Sequence, residues 1–255
     1  MYFNLFLFSF AYQLLNYKLY KSMKLLSNQN LKLEKNEIPT FGLSLMPEKR
    51  NSFGVNLCEF STKQCRNVCI VDSGFARYKK VNEARLKKTD YFLTEKSKFM
   101  KELWGELNYI NLVENKALIR LNMFSDIDWH TEFINFGYNL ETLENLIFYG
   151  YTKSPKILEK SEKLSNFDII FSFSGYNWKL CEYYLKNKIC NVSVVFKLKG
   201  KELPKTWNGF EVINGDENDQ RLKSIEGVGK IIGLKFKNPI AKNSKYEKSK
   251  FVIEL

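Results

Sequence analysis

The chain reads as an α/β protein, an open or partial (βα) barrel of about six to seven mostly parallel strands with a cysteine loop after the first strand. Three observations carry that reading. Short β-branched and aromatic runs alternate with segments of helical period, the pattern of parallel strands joined by crossover helices. No second domain is visible in the 255 residues, a length that barrels of this class reach as one unit. Cys58, Cys65 and Cys69 lie within twelve residues, directly after the first strand.

Residues 1–39 read as an N-terminal extension. The run YFNLFLFSFAY has no basic residue before it and no small-residue cleavage site, and it is too short to span a bilayer. Met23 opens a plain polar start, so residues 1–22 either precede the true start or form an interfacial or core-docked helix. The α/β domain is expected over 40–237. FGLSLM from Phe41 alternates as a strand and stops at Pro47. After the cysteines, residues 77–112 carry Leu, Phe and Trp every three or four positions, predicting one long helix or two in series. Strand-type runs follow at 117–124, 145–152, 167–174, 191–198, 210–213 and 230–236, with helical segments at 129–138, 155–164 and 176–188. The tail, 238–255, is basic and ends in a short strand-like run, KFVIEL.

Composition is globular, with 44% apolar and 27% charged residues, 21 Phe and 14 Tyr. The formal charge of +12 attracts polyanions, of which nucleic acid is the expected one; a lysine-rich solvated surface is the plainer reading. Five cysteines, an odd count, fit a reducing cytoplasmic compartment better than a disulfide scaffold. No membrane role is expected. Neither a dinucleotide fingerprint nor a phosphate-binding loop of the G-x-x-x-x-G-K-[ST] type occurs, which argues against nucleoside triphosphate hydrolysis.

In barrels the residues after each strand's C-terminal end face the site, and that rule selects the candidates. Cys58, Cys65 and Cys69, spaced C-x6-C-x3-C, are the candidate metal ligands. Three thiolates suit a [4Fe–4S] cluster with one open iron; zinc, with a fourth ligand from Cys181, Cys190, an Asp or His130, is the alternative, and unligated cysteines the plain one. Asp126 and Asp128 stand at alternate positions after a strand, where they can accept protons; equally, Ser125 or Asp126 caps the next helix. Thr152, Lys153 and Ser154 sit at a strand-to-helix turn pre-formed by Pro155, suited to an anionic group or to plain capping. Ser174 and Asp216 close the set, with Gly175 and Asp219 beside them. His130 reads as a capping or surface residue.

The stretches LCEFSTKQCRNVCIVDSGFARYKKVNEARLKKT, LIRLNMFSDIDW, LIFYGYTKSP, IIFSFSGYN and NGDENDQR together resemble the phage gene product 88 domain family over about residues 40–237. The resemblance implies a protein of phages and mobile elements with a cysteine loop, an arginine-bearing strand leading to an acidic turn, a YTKS turn and a G-D turn. Here these correspond to Cys58, Cys65 and Cys69; Arg120 with Asp126 and Asp128; Tyr151, Thr152, Lys153 and Ser154; and Asp216. The layout is also similar in architecture to radical S-adenosylmethionine enzymes, whose C-x3-C-x2-C spacing is not present.

The expected function is thus a metal- or iron–sulfur-binding enzyme acting on a nucleotide or nucleic acid. Asp126, Asp128, Lys153 and Asp216 are its catalytic candidates; Arg120, Thr152, Ser154 and Ser174 would hold substrate or S-adenosylmethionine. The alternative is a zinc-stabilised nucleic-acid-binding protein whose lysines contact phosphates and whose Tyr78 and Trp104 stack on bases.

Overall fold

A computed structural model describes residues 23–28, 37–198, 200, 202–237 and 250–255. The reading of residues 1–22 as an alternative start or a helix lies outside them.

The strands are β1 (Leu26–Ser27), β2 (Thr40–Leu43), β3 (Ala117–Arg120), β4 (Leu146–Thr152) and β5 (Phe167–Ser172). They continue with β6 (Val192–Lys197), β7 (Thr206–Trp207), β8 (Phe210–Asn214), β9 (Ile231–Lys235) and β10 (Val252–Glu254). The helices are α1 (Lys63–Asn67), α2 (Lys79–Thr94), α3 (Lys96–Val113), α4 (Trp129–Asn135), α5 (Pro155–Ser161), α6 (Trp178–Lys186) and α7 (Lys223–Glu226).

The sheet order is β1-β2-β3-β4-β5-β6-β9-β8-β7, with β10 also on β6. Pairing is parallel from β2 through β6 to β9 and β8, and antiparallel only for β1 on β2 and β7 on β8. Two expectations are corrected. The sheet is open and does not close into a barrel, because the two-residue strands β1 and β7 end the order on either side. Among the described residues it also has ten strands, where six to seven were expected. β1 and β7 are too short to show a period-2 pattern, and β10 comes from the tail.

The alternation of side chains across strands divides the molecule into two faces. One face sends Ile119, Phe148 and Phe171 into the helical layer, where Phe99, Met100, Leu103 and Phe133, then Leu158, Tyr184 and Leu185, cover them. The other face presents Arg120, Tyr149, Tyr151, Ser172 and Ser193. The segment between β8 and β9 lies against that face: Leu222 packs on Leu118 and Tyr149, and the Lys223 N–H donates to Asp168. The long helical stretch is broken at Glu95, giving α2 and α3. The run at 117–124 forms a strand only as far as Arg120 because Asn122 turns the chain, its side-chain carbonyl accepting from Ile127 N–H and the Trp129 indole. Trp104 does not offer its face to a base: it stacks on Tyr138 at 4.9 Å within the helical layer.

β10 occupies the side of β6 that β5 leaves. Val192 and Ser193 pair with β5, whereas Val195, Phe196 and Lys197 pair with β10. Gly175 makes room for it: its φ is +94°, and an added Cβ would lie 2.9 Å from the Lys250 and Phe251 backbone. At the opposite edge β1 is held by the buried Glu106, whose carboxylate accepts from Leu25 N–H at 2.7 Å and Leu26 N–H at 2.8 Å. Glu106→Ala leaves both buried donors unpaired and is expected to cost about 2–4 kcal/mol in urea unfolding. Glu106→Gln, which keeps one acceptor, should lose roughly half of that.

Candidate functional site

The cysteine loop lies over the C-terminal ends of β3, β4 and β5, and contacts from four of its residues put it there. The Asp126 N–H, after β3, donates to Leu57 O at 2.8 Å. Thr62 accepts from Cys65 N–H at 3.2 Å and donates its hydroxyl to Ser174 O at 3.1 Å, so the residue that caps α1 also ties it to the end of β5. The Gln64 amide donates to the Tyr176 hydroxyl at 2.6 Å, and its carbonyl accepts from Lys250 N–H. Val68 packs on Val252 of β10.

Under this loop Lys153 is the central cation. It is half-buried, feels the charge of Cys65 and lies 5.3 Å over the Phe251 ring. Burial pulls its pKa down, but Cys65, Asp126 and Cys58 outweigh that and hold the ammonium above the usual lysine range. Asp126 completes the floor: its carboxylate accepts from the Thr152 hydroxyl at 2.7 Å and the Lys153 N–H at 3.0 Å. Its pKa is raised, burial outweighing those hydrogen bonds.

The three thiols differ. Cys58 is buried, accepts from Glu48 N–H at 3.3 Å and is pushed up to about 12 by that burial. Burial also raises Cys69, with Arg50 acting against it. Cys65, which is partly exposed, acts on the Lys153 ammonium more strongly than Cys58 does. The sulfurs feel one another's charge, Cys58 with Cys69 and Cys69 with Cys65. Among the described residues, however, no three His, Cys, Asp or Glu side chains gather closely enough to hold a metal ion. Cys181 and Cys190 are fully buried in the helical layer and are likewise pushed up to about 12 by burial.

Of the residues singled out from the sequence, Cys58, Cys65, Cys69, Asp126, Thr152, Lys153 and Ser174 are thus brought to one place. Others have separate duties. Asp128, not Ser125 or Asp126, caps α4, accepting from Thr131 N–H at 3.0 Å and from Lys160 at 2.5 Å. His130 follows in the first turn, its ring edge-on to Phe167. Ser154 caps α5 through Ile157 N–H at 3.3 Å. Asp216 ties the end of β9, accepting from Lys235 N–H at 2.8 Å and Lys237 at 2.5 Å.

Arg120 belongs to a second polar group on the other face of the sheet. It pairs with the fully buried Asp219 at 2.6 Å, and the Tyr149 hydroxyl donates to the same carboxylate oxygen at 2.9 Å. Tyr151 lies beneath the guanidinium at 4.9 Å and accepts from Arg221 Nε at 3.0 Å; Arg221 in turn pairs with Glu226. Burial lowers the Arg120 pKa, but Asp219 and the two tyrosines reverse this. Sequence reading passed over Tyr149, Arg221 and Glu226. The available signal was the Y-G-Y alternation, which aims two tyrosines at the face Arg120 occupies.

Because truncating one partner strands a buried charge, Asp219→Leu is expected to cost about 3–5 kcal/mol in urea unfolding. The double replacement Arg120→Met with Asp219→Leu should recover most of that loss.

No curated protein and no solved structure matches the chain. The family model described as Gene product 88 matches residues 17–252, so the chain belongs to that family.

Proposed function

We propose that the chain is an enzyme whose reaction centre is Cys65 with Lys153, supported by Asp126, Thr152, Cys58 and Cys69, and that it acts on a nucleotide or nucleic-acid substrate. The observation that carries this is a half-buried ammonium within electrostatic reach of a partly exposed thiol, on a turn anchored by Asp126, at the C-terminal ends of parallel strands where α/β sheets place their sites. A thiol becomes a nucleophile as its thiolate, and reactive cysteines occupy electropositive, accessible surroundings of this kind. Lys153 offsets the charge on sulfur, while Asp126 fixes the Lys153 backbone through its N–H. Cys58 and Cys69, kept neutral by burial, flank the reacting thiol. The formal charge of +12 supports an anionic substrate.

The second reading is a [4Fe–4S] cluster on Cys58, Cys65 and Cys69, with zinc as its variant and S-adenosylmethionine as a ligand of the open iron. Its donor set is right in kind, three thiols from one loop. Their arrangement does not fit it, since among the described residues no three such donors are gathered closely enough to hold a metal ion.

Lys153→Met is expected to slow iodoacetamide alkylation of Cys65 about tenfold at neutral pH, the scale of losing one nearby positive charge. Mass spectrometry of the labelled peptide measures it, and equal rates would remove Lys153 from the centre. Anaerobic purification with metal analysis tests the second reading: about four irons per chain and a broad visible absorbance would replace thiol chemistry by cluster chemistry.

A further inference from the structure

We propose that a ridge formed by Ile70, Phe75 and Tyr78, with Arg77, Lys79 and Lys80, binds a single-stranded polynucleotide and leads it to the thiol centre. The inference rests on the reading of that centre as one acting on nucleotides or nucleic acid.

Ile70, Phe75 and Tyr78 are 57%, 64% and 51% exposed and fall within nine residues of chain, and it is such grouping of exposed apolar side chains that marks an interaction site. They are displayed on a built support. Two 3₁₀ turns, Ile70–Asp72 and Gly74–Arg77, carry them, and the buried Val71 fastens the first turn to the body. The Ser73 hydroxyl closes that turn on Ile70 O at 2.8 Å, and Tyr78 N–H closes the next on Phe75 O at 3.2 Å. The rings of Phe75 and Tyr78 meet edge to face at 5.5 Å, so each steadies the other while remaining open to solvent.

The surrounding charge chooses the occupant. Residues 48–80 hold seven Lys and Arg against three Asp and Glu. Of the three acids, Asp72 is paired with Arg50 at 2.7 Å and Glu48 stands 3.5 Å from Arg66. Arg77, Lys79 and Lys80 are exposed, and the Lys79 side chain, 91% accessible, has only a 4.0 Å approach to Glu83. Aromatic faces interleaved with free cations are the arrangement on which unpaired bases stack while phosphates are neutralised. A duplex hides its base faces, so the single strand is selected. Ile70 directly follows Cys69, which places the start of the ridge at the edge of the centre.

Fluorescence anisotropy of a fluorescein-labelled oligothymidylate with the full chain tests this, against a hairpin duplex of the same length. The single strand is expected to bind about tenfold or more tightly than the duplex, and to weaken as salt rises. Phe75→Ala with Tyr78→Ala should weaken binding about tenfold or more and leave the salt dependence unchanged. Lys79→Ala with Lys80→Ala should weaken it and flatten that dependence by about two ion contacts. All four positions are exposed, so circular dichroism and the rate of Cys65 alkylation should stay at the parent values. Unchanged affinity in the aromatic double variant, equal affinity for duplex, or no binding overturns the inference. The thiol-centre reading stands or falls separately, on whether Cys65 alkylation depends on Lys153.

Discussion

One carboxylate joins the cysteine loop to the sheet. Asp126 follows β3, its own N–H donates to Leu57 in the loop, and its side chain grips Thr152 and the Lys153 N–H after β4. Three segments distant in sequence therefore share one residue. The position of Lys153 under Cys65 depends on it, since the ammonium reaches sulfur only when the turn after β4 and the loop after β2 are held in register. Asp126 carries a raised pKa because burial outweighs the two hydrogen bonds to its carboxylate, which offset only part of the cost of holding the ionised form.

Much of the architecture was legible in the sequence, because parallel strands leave β-branched runs and their crossovers leave a helical period. β3 to β6, β8 and β9, the paired helices α2 and α3, and α4 to α6 all fall within one residue of the runs that those periods mark. Closure was not legible. Whether a parallel sheet closes depends on pairing between its first and last strands, and two-residue strands such as β1 and β7 carry no period. The site was legible in its members and less so in its partnerships. The rule that strand ends face the site picked Asp126, Thr152 and Lys153 alongside the cysteines. It could not separate Asp128, two positions from Asp126, whose geometry at the start of α4 makes it a cap. Nor could it place Arg120, because the partner of that residue, Asp219, is 99 positions away.

The two polar groups on this sheet differ in how they are satisfied. Around Arg120 opposite charges lie in direct contact within the interior, and tyrosines take up further valences; such a network specifies one arrangement of the segment between β8 and β9. Around Lys153 the cation faces sulfur and an aromatic ring at a partly open mouth. Sulfur is a weak acceptor compared with carboxylate, so this group keeps more of its chemistry available.

The contrast among the five cysteines makes the same point within one residue type. Cys181 and Cys190 lie fully buried in the helical layer, and burial pushes both up to about 12; they behave as small hydrophobes. Cys58 shares that fate despite its place in the loop. Cys69 has Arg50 working against its burial, and Arg85, lying 4.2 Å over the Phe124 ring, also feels its charge. Cys65, as partly exposed as Cys69, adds the nearby charge of Lys153. Sequence spacing groups Cys58, Cys65 and Cys69 as equals, whereas the surrounding cations rank them, and it is the ranking that favours one reacting thiol over three equivalent ligands.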